Sequence, residues 1–182
     1  MSRKKLSENQ KYLKKFVLII SFIMQMSCNS NKIISNKIIS NNKCPIDGTC
    51  ELTYLKNKGL IIKKDNLNNV TFEIIDNPKT NVFLYAYERE NDKNIKDDGY
   101  REEIIFEIPT DAKNLKFENE ALQTTKMIFG RFCYCKGFTG YYIIDSGKLT
   151  MESTNKKNTV ILDFVIKEVP QILKNISFTY KI

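Results

Sequence analysis

"VILDFVIK" at residues 160–167 and "ISFTYKI" at 176–182 decide the fold class. In the first, Val160, Leu162, Phe164 and Ile166 fall on one side of an extended chain, with Asp163 and Lys167 on the other. In the second, Ile176, Phe178, Tyr180 and Ile182 alternate with Ser177, Thr179 and Lys181. Successive side chains of a strand point to opposite faces, so a period of two predicts strands with one buried face. "EIIFEIP" (103–109) brings Ile104, Phe106 and Ile108 together in the same way. "VFLYAYER" (82–89) aligns Phe83, Tyr85 and Tyr87 with Arg89, an aromatic stripe read as core or as a cross-strand ladder.

Turn chemistry separates these runs: "NKG" (57–59), "DNLNN" (65–69), "DNPKT" (76–80), "NDKNIKDDG" (91–99), "KGFTG" (136–140), "DSG" (145–147) and "STNKKN" (153–158). Gly, Asn and Asp accept positive φ, and Pro presets φ. Only residues 110–123 could hold a helical turn. The expectation is an all-β domain over residues 44–182. It is an antiparallel meander of about eight to ten strands closed as a sandwich or a barrel.

The N-terminus points elsewhere. Residues 1–15 hold six Lys or Arg and one Glu, and an uncharged apolar run, Phe16 to Met24, follows. A basic segment, a short apolar segment and then Ser27 and Cys28 make residues 1–27 a signal peptide. The run is too short to span a bilayer, which takes about 20 apolar residues. Ser27-Cys28 resembles the lipobox of bacterial lipoproteins, although Gln25 and Met26 depart from the usual residues. That resemblance implies a lipid on Cys28. Each buried methylene contributes about 0.8 kcal/mol, so two or more acyl chains hold a protein on a membrane.

Residues 28–43 then form a flexible tether that contains the duplication "NKIISNKIIS" and no acid. About 15 coil residues span roughly 20 Å. Lys32, Lys37 and Lys43 could instead lie against anionic lipid. Surface-exported lipoproteins of Bacteroidota tend to carry acids just after the lipidated Cys, and "CNSNK" has none. By that resemblance the domain is expected in the cell envelope, lipid-anchored to the outer membrane and facing the periplasm. The signal carries most of the basic excess: without it the formal charge falls from +8 to +3. Nucleic acid is therefore not an expected partner.

Four cysteines remain: Cys44 and Cys50 in "CPIDGTC", and Cys133 and Cys135 in "GRFCYCKGFTGYY" (130–142). An exported domain sits where disulfides persist. On a continuous strand Cys133 and Cys135 share a face, about 6.5 Å apart with parallel side chains, a poor geometry for a bond. Two bridges between the segments are expected, 44–133 with 50–135 or 44–135 with 50–133. Each would close a loop of more than about 80 residues; the chain-entropy description gives about 4 kcal/mol for one such loop, and the second bridge adds less. Neither a zinc site nor a redox motif has the usual spacing here. "CPIDGTC", "FGRFCYCKGFTGYY" and "KEVPQIL" together resemble a group of small lipoproteins of Flavobacterium-like Bacteroidota. The resemblance covers most of the mature domain, supports the location and implies no activity.

Catalytic signals are sparse. The chain has no histidine, which removes Ser-His and Cys-His pairs and imidazole metal sites. Phosphate-loop, dinucleotide and nucleophile-elbow motifs are lacking too. "DDGYREE" (97–103) supplies carboxylates but reads as a solvated charge run. No catalytic residue, metal or cofactor is assigned.

The residues singled out for partner or ligand contact are Arg131, Phe138, Tyr141 and Tyr142. Arg131 lies on a strand with two apolar faces, where a carboxylate partner or an anionic ligand would suit it. Phe138 sits at a turn between Gly137 and Gly140, and Tyr141 and Tyr142 take opposite faces. The expected function is a non-catalytic protein-binding or structural module, its partner an envelope protein. The alternative is a carrier of a small apolar or anionic ligand in a cavity near Arg131.

Overall fold

A computed structural model describes residues 44–91, 94, 97–154 and 157–180. The signal peptide, Cys28 and the tether lie outside the described residues, as does Ile182. Among the described residues there are eleven strands: β1 (Gly48–Leu55), β2 (Lys58–Lys64), β3 (Val70–Asp76), β4 (Thr80–Arg89), β5 (Tyr100–Pro109), β6 (Asn114–Glu118), β7 (Ile128–Cys133), β8 (Gly140–Ile143), β9 (Gly147–Ser153), β10 (Asn158–Phe164) and β11 (Asn175–Tyr180). A 3-10 helix, Asn119–Thr125, joins β6 to β7. The stretch expected to be a helical turn thus divides into a strand and a short helix. All pairings are antiparallel, in a seven-stranded sheet ordered β1-β4-β5-β7-β8-β3-β2 and a four-stranded sheet ordered β11-β10-β9-β6. The fold is an all-β sandwich rather than a closed barrel.

Period-two patterning explains the layer between the sheets. Val160, Leu162 and Phe164 of β10 and Ile176, Phe178 and Tyr180 of β11 are buried. They meet Phe83, Tyr85 and Tyr87 of β4 and Ile104, Phe106 and Ile108 of β5. The centre is aromatic: Phe83 lies 5.4 Å from Phe106, 5.1 Å from Tyr54 and 4.9 Å from Tyr180. The stripe of β4 is core.

The larger sheet departs from a meander. A turn at Lys56 and Asn57 (φ 56°) links β1 directly to β2, yet these strands stand at opposite ends of the sheet order. The sheet must curl for this to close, and the β2–β3 hairpin lies over the outer face of β4 and β5. Leu55, Leu60, Val70, Val82, Ile105 and Ile128 form a second core there, with Ile62 and Phe72 packed against it. β5 is therefore buried on both faces, not one.

Charged side chains finish this second layer. Glu107 accepts the Leu60 N–H at 2.6 Å, Lys126 Nζ donates to the Leu60 carbonyl at 2.6 Å, and the two charges meet at 2.9 Å. β2 is an edge strand, and this ion pair supplies the donor and acceptor that a neighbouring strand would otherwise give. Glu102 does related work on the inner face. Its carboxylate accepts the N–H groups of Ile172 and Leu173, both at 2.7 Å, and so fixes the irregular segment before β11. The run "DDGYREE" is thus not a solvated face at its end, because Glu102 and Glu103 are buried.

Candidate functional site

β7 runs between β5 and β8, with Phe129 in the inner core and Ile128 in the outer one. Its central position and two apolar faces agree with the sequence pattern. β7 ends at Cys133, however, and a loop of residues 134–139 leads to β8. Positive φ at Gly137 (80°) and Gly140 (135°) allows the turn.

That strand end changes the cysteine pairing. With the chain bending at Tyr134, the Cα atoms of Cys133 and Cys135 approach to 5.2 Å, and the two are joined to each other. Cys44 and Cys50 are likewise joined across their own turn, Cα atoms 5.7 Å apart. All four residues are within disulfide distance, but the bridges are local and do not run between the segments as expected. The expectation rested on a strand continuing through Cys135. Sequence separations of 6 and 2 close small loops. Chain entropy then contributes about 2 kcal/mol for the Cys44–Cys50 bridge and about 1–1.5 kcal/mol for the Cys133–Cys135 bridge, not about 4.

Thr139 holds the loop from one side. Its hydroxyl accepts the Cys133 N–H at 3.2 Å and donates to the Cys133 carbonyl at 2.9 Å. Arg131 holds it from beneath. Nη1 donates to the Phe138 carbonyl at 2.9 Å and approaches Cys135 Sγ at 2.9 Å. Nε donates to the Tyr100 hydroxyl at 3.2 Å, and the guanidinium lies 5.2 Å from the centroid of the Tyr100 ring. Tyr100 in turn donates to Glu102 at 2.5 Å. Burial, then the bond to Glu102, pushes the Tyr100 hydroxyl up to about 12.

Arg131 is only 9% exposed. Among the described residues it forms no ion pair, contrary to the expected carboxylate partner, and reaches Glu102 only through the Tyr100 hydroxyl. Nε and Nη1 donate to protein acceptors.

Phe138 is exposed on the loop, as the turn-tip reading requires. Tyr134, 85% exposed, was not singled out. A strand continuing past Cys133 would have put it on a buried face, and the bend turns it to solvent. Tyr141 and Tyr142 do take opposite faces, but both are half-buried. Tyr141 packs edge-on against Phe72 and Phe132 and donates to Glu103 at 2.5 Å. Burial, then that bond, raises its hydroxyl well above the usual tyrosine range. Gly130 makes room for this pair, since a Cβ there would stand 2.8 Å from both Glu103 and Tyr141. Tyr142 packs against the inner core.

Beside β8 lies a surface cleft of about 430 Å³, lined by Lys64, Asn68, Asn69, Tyr141, Tyr142 and Glu168 among others. Among the described residues no group of three or more His, Cys, Asp or Glu side chains could hold a metal ion. No protein family, no curated protein and no solved structure matches this chain.

Proposed function

We propose that this chain is an envelope lipoprotein, anchored to the outer membrane through Cys28, whose β-domain is a non-catalytic protein-binding or structural module. The basic leader, the apolar run and Cys28 support the anchor. The loop 134–139 supports the binding role, and one observation carries it. Tyr134 and Phe138 stand exposed on a loop that Arg131, Thr139 and the Cys133–Cys135 bridge hold in one shape. A large aromatic pre-ordered in this way loses little entropy on binding, which is what makes an anchor. Lys136 beside them suits an envelope protein with an apolar pocket and an acidic rim.

A photo-reactive amino acid in place of Tyr134, in living cells, tests the reading. A discrete adduct that disappears with Phe138→Ser, and is absent when the probe replaces the exposed Ile161, is the expected result. The same adducts from positions 134 and 161 would remove the loop as a contact. The carrier reading draws on the 430 Å³ cleft, whose lining joins Val70, Tyr141, Tyr142 and Ile143 to Lys64, Asp145 and Glu168.

A further inference from the structure

The second cysteine pair differs from the first in its surroundings. Cys44 and Cys50 pack against the inner core, and Cys44 Sγ makes a long contact of 3.8 Å with the Gly48 carbonyl. Cys133 and Cys135 line an open surface depression together with Tyr134, Lys136 and Thr139. Directly beneath, the buried Arg131 brings Nη1 to 2.9 Å from Cys135 Sγ. A staple has no need of a guanidinium at its sulfur. A cation there favours the thiolate, the form that leaves when a disulfide is opened.

We propose that Cys133 and Cys135 form a thiol–disulfide exchange site, with a protein dithiol as substrate and Arg131 holding Cys135 as the leaving thiolate. A substrate thiolate attacks Cys133 Sγ. The Cys133–Cys135 bond breaks, and its electron pair passes to Cys135 beneath the guanidinium. The substrate's second thiol loses its proton and attacks the substrate sulfur of the mixed disulfide. Cys133 leaves and takes up one proton, and one proton goes to solvent. The substrate is oxidised by two electrons to a disulfide, and the cysteine pair is reduced by two.

The groups around Cys135 set the sign. Arg131 from β7 and Lys136 from the loop are positive. Glu102 from β5 is negative but accepts from Tyr100 and from two backbone N–H groups, so Tyr100 stands between it and Arg131. Glu168, with Arg131, acts on Tyr142. The closest charge to the sulfur is the guanidinium. The exchange shares a loop with the docking role but not its premise, for it depends on Arg131 and two sulfurs rather than on Tyr134 and Phe138.

The test uses the full chain and dithiothreitol as the dithiol, with no partner protein. Iodoacetamide alkylation of the reduced protein across a pH series, read site by site by peptide mass spectrometry, gives a midpoint for each cysteine. Cys135 is expected at least about one unit below the free-thiol value of about 8.5, with Cys50 in the same sample not lowered. Arg131→Gln should raise the Cys135 midpoint to that value and slow opening of the bridge by dithiothreitol, while Arg131→Lys keeps the midpoint low. A Cys135 midpoint equal to that of Cys50, or one that Arg131→Gln leaves in place, would overturn the proposal. Should Arg131→Gln fail to fold, the wild-type midpoints of Cys135 and Cys50 decide alone. Failure of the Tyr134 cross-link with a lowered Cys135 midpoint would sink docking and leave exchange standing.

Discussion

The two faces of the seven-stranded sheet are built by different means. The inner face meets the four-stranded sheet through rings and branched aliphatics, with Phe83 and Phe178 in contact with each other and each with Phe106 and Tyr180. The outer face is a smaller apolar cluster under the β2–β3 hairpin, and two buried carboxylates complete it, against one, Glu102, on the larger inner face. Glu107 ties β2 through Leu60, and Glu103 ties β8 through Tyr141. Apolar packing is non-directional and sums over area. Hydrogen bonds to a buried carboxylate are directional and fail singly. The inner face should therefore yield as a unit and the outer face strand by strand.

Phe83→Ala strikes the inner face at its centre and is expected to have the largest effect, about 3–5 kcal/mol. Phe83 is fully buried and is a partner in four of the aromatic contacts. Denaturant unfolding followed by tyrosine fluorescence and by circular dichroism should show one transition, displaced equally in both. Two separated transitions would mean that the inner face does not unfold as a unit.

Glu107→Ala strikes the outer face and is expected to cost about 1–3 kcal/mol, because the Leu60 N–H loses its acceptor in a buried place. The cost should stay local. Amide exchange at Leu60 and along β2 should quicken, while β10 and β11 keep their protection. Equal loss of protection at Leu60 and at Leu162 would erase the distinction between the faces.

These carboxylates also show what sequence could and could not reveal. β10 and β11 bury one face and were readable from alternation alone. β5 reads "YREEIIFEIP", and its one-faced reading took Ile104, Phe106 and Ile108 while leaving Ile105 and the glutamates outside. Charge in a pattern reveals no partner. Glu102 is buried because it serves N–H groups 70 and 71 positions away, and Glu107 because it serves one 47 positions away. No local period encodes such distances. The loop site was legible in its residues and illegible in its geometry. Phe138 and Arg131 were flagged, but where β7 stops decides both the partner of Cys133 and the exposure of Tyr134. The hairpin's long excursion was hidden for a related reason: the "NKG" turn is plain in the sequence, while the curl that lets β2 lie over β5 arises from apolar residues on both sides of the central strands.

The smallest expected effect separates the faces by titration. Tyr87, on the inner face, is raised from 10.0 to about 12 by burial and then by its bond to Asp47. Tyr141, on the outer face, is raised by burial and then by its bond to the charge of Glu103. In each case the folded value lies above the unfolded one, so the protonated hydroxyl stabilises the fold fully below about pH 10, and that contribution is lost as pH rises through the folded value. Glu103→Gln keeps the side-chain shape and an acceptor but removes the charge. The Tyr141 midpoint should fall toward 10 while that of Tyr87 stays near 12, as read by the ultraviolet difference spectrum with Tyr141→Phe to assign the signal. If Tyr141 does not move, burial alone holds it and the outer face is less dependent on its carboxylates than its hydrogen bonds suggest. If Tyr87 moves with it, the charge on one face of β5 is felt through the strand on the other, and the two layers are one electrostatic unit.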